Sequence, residues 1–526
     1  MRGMLLRRER GILGWLGRRC VDAWGDPRMT VLADWRGNGM KRAVLVILLA
    51  AVLALVVGCG GVVPDEYEEY ADELEIYEDY EAEMEATEEE TVWALSAEEL
   101  SIPFERAAAY IVAMEAIFDE DDGALWGVHL GMPFMFADSV TRHAVANMPD
   151  VGGEIFVEHE GFYIGVLPLG TWIGNTTINF DGRDWGMMTW ALVEDLDSET
   201  EILTIMVHEL FHAWQQWHLG GGGRPHDQPH MNALFARVSV QLEIRALLAA
   251  LNSDNEEQRL AAIHDALSVR GERRRRFADA AGVENTFEIG EGTATYTDLV
   301  LVRRDMGAIL EWFEAFVGDW IIDSGASLSG NYGYITGAMY GFLLDKVGAD
   351  WRRGVRFGAQ DFRASTDLGA RLKAAVGITE LIPFSELDLE LYGYSEIVAA
   401  ERLWLEERER MVGEAIEAFD EAPVLMISNL GEFGGGGEME VLEIMELGPA
   451  HGMVGTVFYG DFEYFGSFGR IRFTRGHMLW APSWYHVPAL DIEIDGNIVT
   501  GSNWVLELNE GYRVDEVRTG FRVAGS

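Results

Sequence analysis

The chain has 526 residues and carries 88 acidic against 40 basic side chains, a formal charge of −48. Two cysteines exclude a disulfide scaffold and a cysteine-rich metal cluster. The acidic balance argues against nucleic acid as a partner, because phosphate binding needs Lys/Arg patches that release counterions. A hydrophobic share of 48%, with 17 Trp and 25 Phe, is enough to build a large core.

The first informative stretch begins at Met40. Lys41 and Arg42 form a positive n-region, followed by an uninterrupted apolar run of 15 residues from Ala43 to Val57. That run is short for a spanning helix, which needs about 20 apolar residues, but it fits a signal-peptide core. Val56-Val57-Gly58-Cys59 then places small residues before a cysteine. This order resembles the lipobox of bacterial lipoprotein signals, in which the cysteine is lipidated and becomes the first residue. The resemblance implies that Met40 is the true start, that 1–39 is an upstream mis-start, that 40–58 is removed, and that Cys59 anchors an extracytoplasmic protein to the membrane. An uncleaved N-terminal anchor is the competing reading. The mature chain then has 30 basic against 84 acidic residues, a net −54. Residues 65–91 hold 15 acids and no base. Like charges at this density extend a chain, so 59–93 reads as an acidic tether.

From Pro103 a helix-compatible run extends to about 118, and short aromatic and β-branched segments from 124 to 192 read as strands. From Glu201 the chain reads EILTIMVHELFHAWQQWHLGGGG, apolar at helical spacing and stopped by Gly220 to Gly223. His208 and His212 are four apart and project from one helix face, with Glu209 beside the first. In HExxH two His bind zinc and the Glu activates its water. An ordinary pair of helix histidines is the bland alternative, so the motif needs a third ligand.

Residues 288–300 read EIGEGTATYTDLV. Glu291-Gly292-Thr293-Ala294-Thr295-Tyr296 resembles the second-helix motif of gluzincins, whose Glu completes a His2Glu zinc site. Asp298 lies seven residues on, two turns along the same face. The aminopeptidase-N-type members carry an acid at that offset, which implies that Asp298 orients His208 or His212. Tyr334-Ile335-Thr336-Gly337-Ala338 resembles the Tyr-x-x-Gly of those enzymes, implying that Tyr334 donates to the oxyanion. Tyr332 and Tyr340 read as packed tyrosines with satisfied hydroxyls. Gly186-Met187-Met188-Thr189-Trp190 is faintly similar to the family's edge strand that grips a substrate's free amine, but Thr189 stands where the amine-binding Glu belongs. That departure leaves exo- or endopeptidase open.

Other residues compete. Glu243 in VQLEIRALLAAL is nearer the motif helix and a rival ligand, although Arg245 offers it an ion pair. Asn509-Glu510-Gly511-Tyr512 copies the second motif among strand-like segments and reads as coincidence. His218, His226 and His230 follow the motif helix, and His218 reads as a helix-end histidine facing terminal carbonyls. Inserted helices at about 229–252 and 255–270 separate the two motifs, and further helices fall at 363–376 and 385–420. The run Arg273 to Arg276 reads as helix-surface or acid-pairing. Past residue 422, alternating segments and the Asp495-Gly496 turn signal suit a small β-sandwich or barrel.

The expected fold is therefore α+β: a zincin-like metallopeptidase core over 94–421, strands then helices, with a C-terminal all-β domain over 422–526. The expected function is a lipid-anchored zinc metallopeptidase acting on a peptide or protein, with Zn2+ held by His208, His212 and Glu291. Glu209 and Tyr334 are the expected catalytic residues and Asp298 the expected support. The alternatives are an inactive zincin-fold binding or adhesion module, and a structural zinc site closed by Glu243.

Overall fold

The computed structural model describes residues 98–526 except 169–170, 197, 222–227, 319–327, 357–365, 422, 429–438, 448–454, 467, 481–483, 490, 510, 518–519 and 526. The signal, lipidation and tether readings at 40–93 lie outside the described residues, as does His226. Among the described residues no helix is long and apolar enough to cross a membrane. The described residues all fall within one contact unit, 92–526.

Helix α1 (Phe104–Asp121) starts directly after Pro103, whose fixed φ suits a helix start, and buries Ala107, Ile111, Met114 and Phe118 at helical spacing. A six-stranded mixed sheet follows: β1 (Phe134–Ala137), β2 (His143–Ala146), β3 (Phe156–His159), β4 (Phe162–Val166), β5 (Thr176–Phe180) and β6 (Arg183–Thr189). Its order is β3-β4-β2-β1-β6-β5. Strand β1 is central and wholly buried: Phe134 and Phe136 join the helical core, while Met135 and Ala137 join a smaller core on the opposite face. A strand covered on both faces shows no polar alternation.

After the short helix α2 (Trp190–Asp195), α3 (Glu199–His218) lies on β6, and Gly186 permits the approach: a Cβ there would meet the Leu210 Cα at 3.1 Å. Then come α4 (Leu234–Asn252), α5 (Glu256–Arg276), α6 (Ala280–Phe287), a π-helical turn (Glu288–Gly292), α7 (Thr293–Asp298) and a second π-helical turn (Leu299–Arg303). Helices α8 (Met306–Phe316), α9 (Leu328–Lys346), α10 (Leu368–Ala375) and α11 (Tyr394–Glu421) complete the helical part. The sequence reading gave two helices between the motifs; the chain has a third, α6.

Strands β7 to β16 (within Val424–Gly525) form one ten-stranded sheet. Strand β10 (Gly469–Trp480) pairs β9 (Gly455–Gly466) along one edge and, on the other, β14 (Trp504–Leu508) near its start and β11 (Trp484–Pro488) at its end. Leu425, Ile471, Phe473, Val487, Val499 and Leu506 meet in a core of their own. Asp495 is the last residue before a two-residue hairpin turn, with Gly496 at φ +63°. Asn509 and Tyr512 sit at the turn into β15 (Tyr512–Val517), not on a helix like the motif they imitate. The fold is α+β, helical with a C-terminal sheet.

Helix α9 crosses the π turn at Glu288–Gly292 through glycines. A Cβ on Gly337 would sit 2.4 Å from the Glu288 carbonyl oxygen, and one on Gly292 2.5 Å from the Gly337 Cα. Backbone this close cannot yield, so Gly337→Ala is expected to cost about 1–3 kcal/mol. Gly413→Ala, inside α11 with open space around it, is expected to be neutral or to stabilise by up to about 1 kcal/mol. Urea unfolding of both variants checks the contrast.

Candidate metal centre

Helix α3 begins with Glu199 and Glu201 in its first turn, where carboxylates favour the helix dipole. Ile202, Met206, Val207, Leu210, Phe211 and Trp214 sink into the core. That leaves His208 and His212 on a partly open face, their side chains 13% and 12% exposed. Glu291, 7% exposed, reaches them from the π turn. The His212 Nε2 lies 3.0 Å from Glu291 Oε2 and 3.1 Å from His208 Nε2, and His208 Nε2 lies 3.4 Å from Glu291 Oε2. Among the described residues this is the one His/Cys/Asp/Glu group with metal-ligand spacing.

Hydrogen bonds on the far side of each ring decide which nitrogen faces inward. His208 Nδ1 is 2.8 Å from Asp298 Oδ2. A carboxylate accepts, so Nδ1 carries the proton. His212 Nδ1 is 2.9 Å from Gln215 Oε1. The amide of Gln215 has one orientation only: its Nε2 faces the carbonyls of Ile289 (3.1 Å) and Gly290 (2.8 Å) and the Thr293 hydroxyl (2.9 Å). Its oxygen must therefore accept from His212 Nδ1–H. Both neutral imidazoles then turn Nε2 lone pairs toward a carboxylate oxygen. Three acceptors converge with no donor among them, and a cation is the species that satisfies such a set. Tetrahedral zinc with bonds of 2.0–2.1 Å spaces its ligand atoms about 3.3 Å apart, close to the observed 3.0–3.4 Å. The residues fit zinc.

Without a metal ion the same potential draws a proton. Burial disfavours the His208 cation, but hydrogen bonds to Asp298 and Glu291 outweigh it and push its pKa up to about 10. His212 moves upward too, burial again being outweighed by Glu291. Burial would raise Glu291, yet the two imidazoles hold it well below the usual carboxylate range. Asp298 is raised to about 6 by burial, partly offset by His208. Glu209 is raised by burial against the pull of both His. Its carboxylate has no hydrogen-bond partner among the described residues, while its backbone carbonyl accepts from the Thr177 hydroxyl at 3.1 Å.

The structure brings His208, His212, Glu209, Glu291, Asp298 and Tyr334 to one place. Asp298 serves His208, not His212. The Tyr334 ring lies nearly parallel to His208, at 19° and 5.7 Å between centroids. Tyr340 is buried and donates to Glu243 at 2.6 Å, but the buried Tyr332 hydroxyl has no partner among the described residues, contrary to expectation. Glu243 does not join the site. It is held by Arg273 at 2.5 Å and Arg270 at 3.0 Å, whereas Arg245 approaches Glu396 instead. That placement removes Glu243 as a fourth ligand.

His218 ends α3 as expected, 3.0 Å from the Trp214 carbonyl. His230 is buried beside Glu284 at 3.4 Å. Strand β6 is not an edge: β1 and β5 pair both its sides, and Thr189 bonds Asn175 Oδ1 through its backbone N–H and hydroxyl. The edge nearest α3 is β5. Gln215 was missed. It follows His212 by three residues on the same helix face, but the sequence pairs it with the exposed Gln216, and nothing local distinguishes the two. Clefts of about 520 and 550 Å³ touch α3 at Leu210 and at Trp214 and His218, away from the histidine face. Comparisons with protein-family models, curated proteins and solved structures give no match.

The pH dependence of metal uptake follows. His208 is protonated at neutral pH in the zinc-free chain, since its pKa rises from 6.5 to about 10. That proton stabilises the zinc-free fold fully below pH 6.5, and the benefit is lost as pH rises through 10. Zinc must displace it, so binding at about pH 7.5 is expected to release at least one proton. The apparent association constant should climb about tenfold per pH unit between about 7 and 9. Calorimetry in buffers of different ionisation enthalpy measures the release; a value of zero contradicts the assignment.

Proposed function

We propose that the chain is a zinc metallopeptidase of gluzincin type, anchored outside the cell membrane through Cys59. The observation that carries the catalytic part is the convergence of His208 Nε2, His212 Nε2 and Glu291 Oε2 within hydrogen-bond range, three acceptors whenever both imidazoles are neutral. Three protein ligands leave one tetrahedral position for water or substrate, the arrangement of catalytic rather than structural zinc. The anchor is supported by the sequence order from Met40 to Cys59 alone.

Zinc in this site would acidify a bound water and polarise the scissile carbonyl. Glu209 stands next to the first ligand with an unengaged carboxylate and a pKa raised by burial. A carboxylate poised above its ordinary value takes a proton from the attacking water and passes it to the departing amine without a large penalty either way. Asp298 and Gln215 keep both imidazoles in the Nδ1–H form, so the inward nitrogens stay available as ligands. Tyr334, flat against His208, supplies a phenol at the rim of the site for the developing oxyanion. The free edge of β5, tied to the motif helix by Thr177, offers backbone groups that an extended peptide can pair with.

Elemental analysis and peptide turnover test the reading together. The chain from about Asp65 onward should carry one zinc. Glu209→Gln should keep that zinc and lose at least about 10³-fold in kcat. Glu291→Ala should lose the metal. A folded wild type that takes up no zinc would return the chain to the binding-module reading. Normal turnover by Glu209→Gln would leave Glu209 without its proposed role.

A further inference from the structure

Behind the Glu291 turn lies a cluster of seven charged groups, contributed mostly by helices lying between the two motifs. Arg270 of α5 forks onto Glu288, Nη1 to Oε1 at 2.5 Å and Nη2 to Oε2 at 2.6 Å. The same Arg270 Nη1 reaches Glu243 of α4 at 3.0 Å. Arg273 holds the other Glu243 oxygen at 2.5 Å and Glu284 at 2.6 Å. Arg274 bonds Glu284 and Asp367, each at 2.7 Å. Glu243, Glu284 and Glu288 are at most 1% exposed.

A buried ion cluster is weak evidence for stability, because desolvation takes back much of the Coulomb gain and apolar packing would serve as well. What guanidinium forks add is direction: a bidentate pair fixes distance and orientation together. The direction matters here because Glu288 opens the π turn whose fourth residue is Glu291. A π turn is an uncommon geometry that persists where its surroundings impose it. Three contacts impose this one. Arg270 grips its first residue, Gln215 donates to its carbonyls at Ile289 and Gly290, and Gly292 lies flat on Gly337.

We propose that α4 and α5, two of the three helices that separate the two motifs, act as a buttress for the metal site: Arg270, steadied by Glu243, clamps Glu288 and thereby aims the Glu291 carboxylate at His208 and His212. Arg270 and Glu288 are positioning residues, and the inference rests on the zinc reading above.

The test compares zinc affinity by chelator competition, in the full helical-plus-β chain, for wild type, Glu288→Gln, Arg270→Lys and Leu247→Ala. Leu247 is a fully buried core residue of α4, so its truncation reports a purely structural loss. Glu288→Gln is nearly isosteric and leaves Arg270 its partner Glu243. It should weaken zinc at least about tenfold, the scale seen when groups supporting a metal ligand are removed. Arg270→Lys, which cannot fork, should do the same. Leu247→Ala should lower the melting temperature while the folded protein binds zinc within about twofold of wild type. Zinc affinity unchanged in Glu288→Gln overturns the buttress even if Arg270→Lys fails to fold. An equal loss in Leu247→Ala overturns it as well, by making the effect one of general stability. A wild type that binds no zinc overturns the metal reading, and the buttress with it; zinc bound equally by wild type and variant overturns the buttress alone.

Discussion

Three lone-pair acceptors within 3.4 Å of one another, largely shielded from water, repel unless a positive charge sits among them. Most of what surrounds His208, His212 and Glu291 is explained by that constraint. The rings must not rotate, so each Nδ1–H is held by an acceptor placed behind it, Asp298 for one and Gln215 for the other. The carboxylate must not swing away, so its turn is pinned by an amide, a guanidinium and a glycine contact. The raised histidine pKa values and the depressed one of Glu291 express the same field in protons rather than metal.

Gln215 shows how economically the two halves are joined. Its oxygen fixes His212 on α3, and its nitrogen bonds the backbone turn that carries Glu291. A carboxylate at this position keeps the acceptor but loses the donor, and would place a negative charge against two carbonyls. A leucine fills the space and satisfies neither side. With the side chain fully buried, each unmet group there costs on the order of 1–3 kcal/mol. Amide chemistry is therefore the one natural choice that serves both neighbours.

Much of this was legible where it is local. The HExxH spacing sets two imidazoles on one helix face whatever the rest of the chain does, and Pro103, Gly220 and Asp495-Gly496 mark element ends through backbone constraints alone. Glu291 and Asp298 were found through the resemblance of their segment to the gluzincin second-helix motif, with Asp298 two turns on. What stayed hidden is set by pairing across the chain. The faint similarity of Gly186–Trp190 to an edge strand does not carry over, because the place of β6 inside the sheet depends on a parallel partner, β1, some fifty residues earlier. Glu243 was matched with Arg245 because they are neighbours, whereas its partners Arg270 and Arg273 are 27 and 30 residues away. Among the described residues Tyr332 lacks the hydroxyl partner expected of a buried tyrosine, and no sequence pattern encodes that.

A separation of 79 positions between His212 and Glu291 is no obstacle to a shared site. Had the interval been an unstructured loop, each doubling of its length would cost only about 0.6 kcal/mol in closure entropy. It is not such a loop. Val238, Leu242, Leu247, Ile263 and Val269 from α4 and α5 belong to the same core as Met206 and Phe211 of the motif helix. The insertion is thus built into the body that the site rests on, and its charged side chains end on Glu288, one turn from Glu291. Spacing between motifs constrains a metal site far less than what the intervening chain packs against.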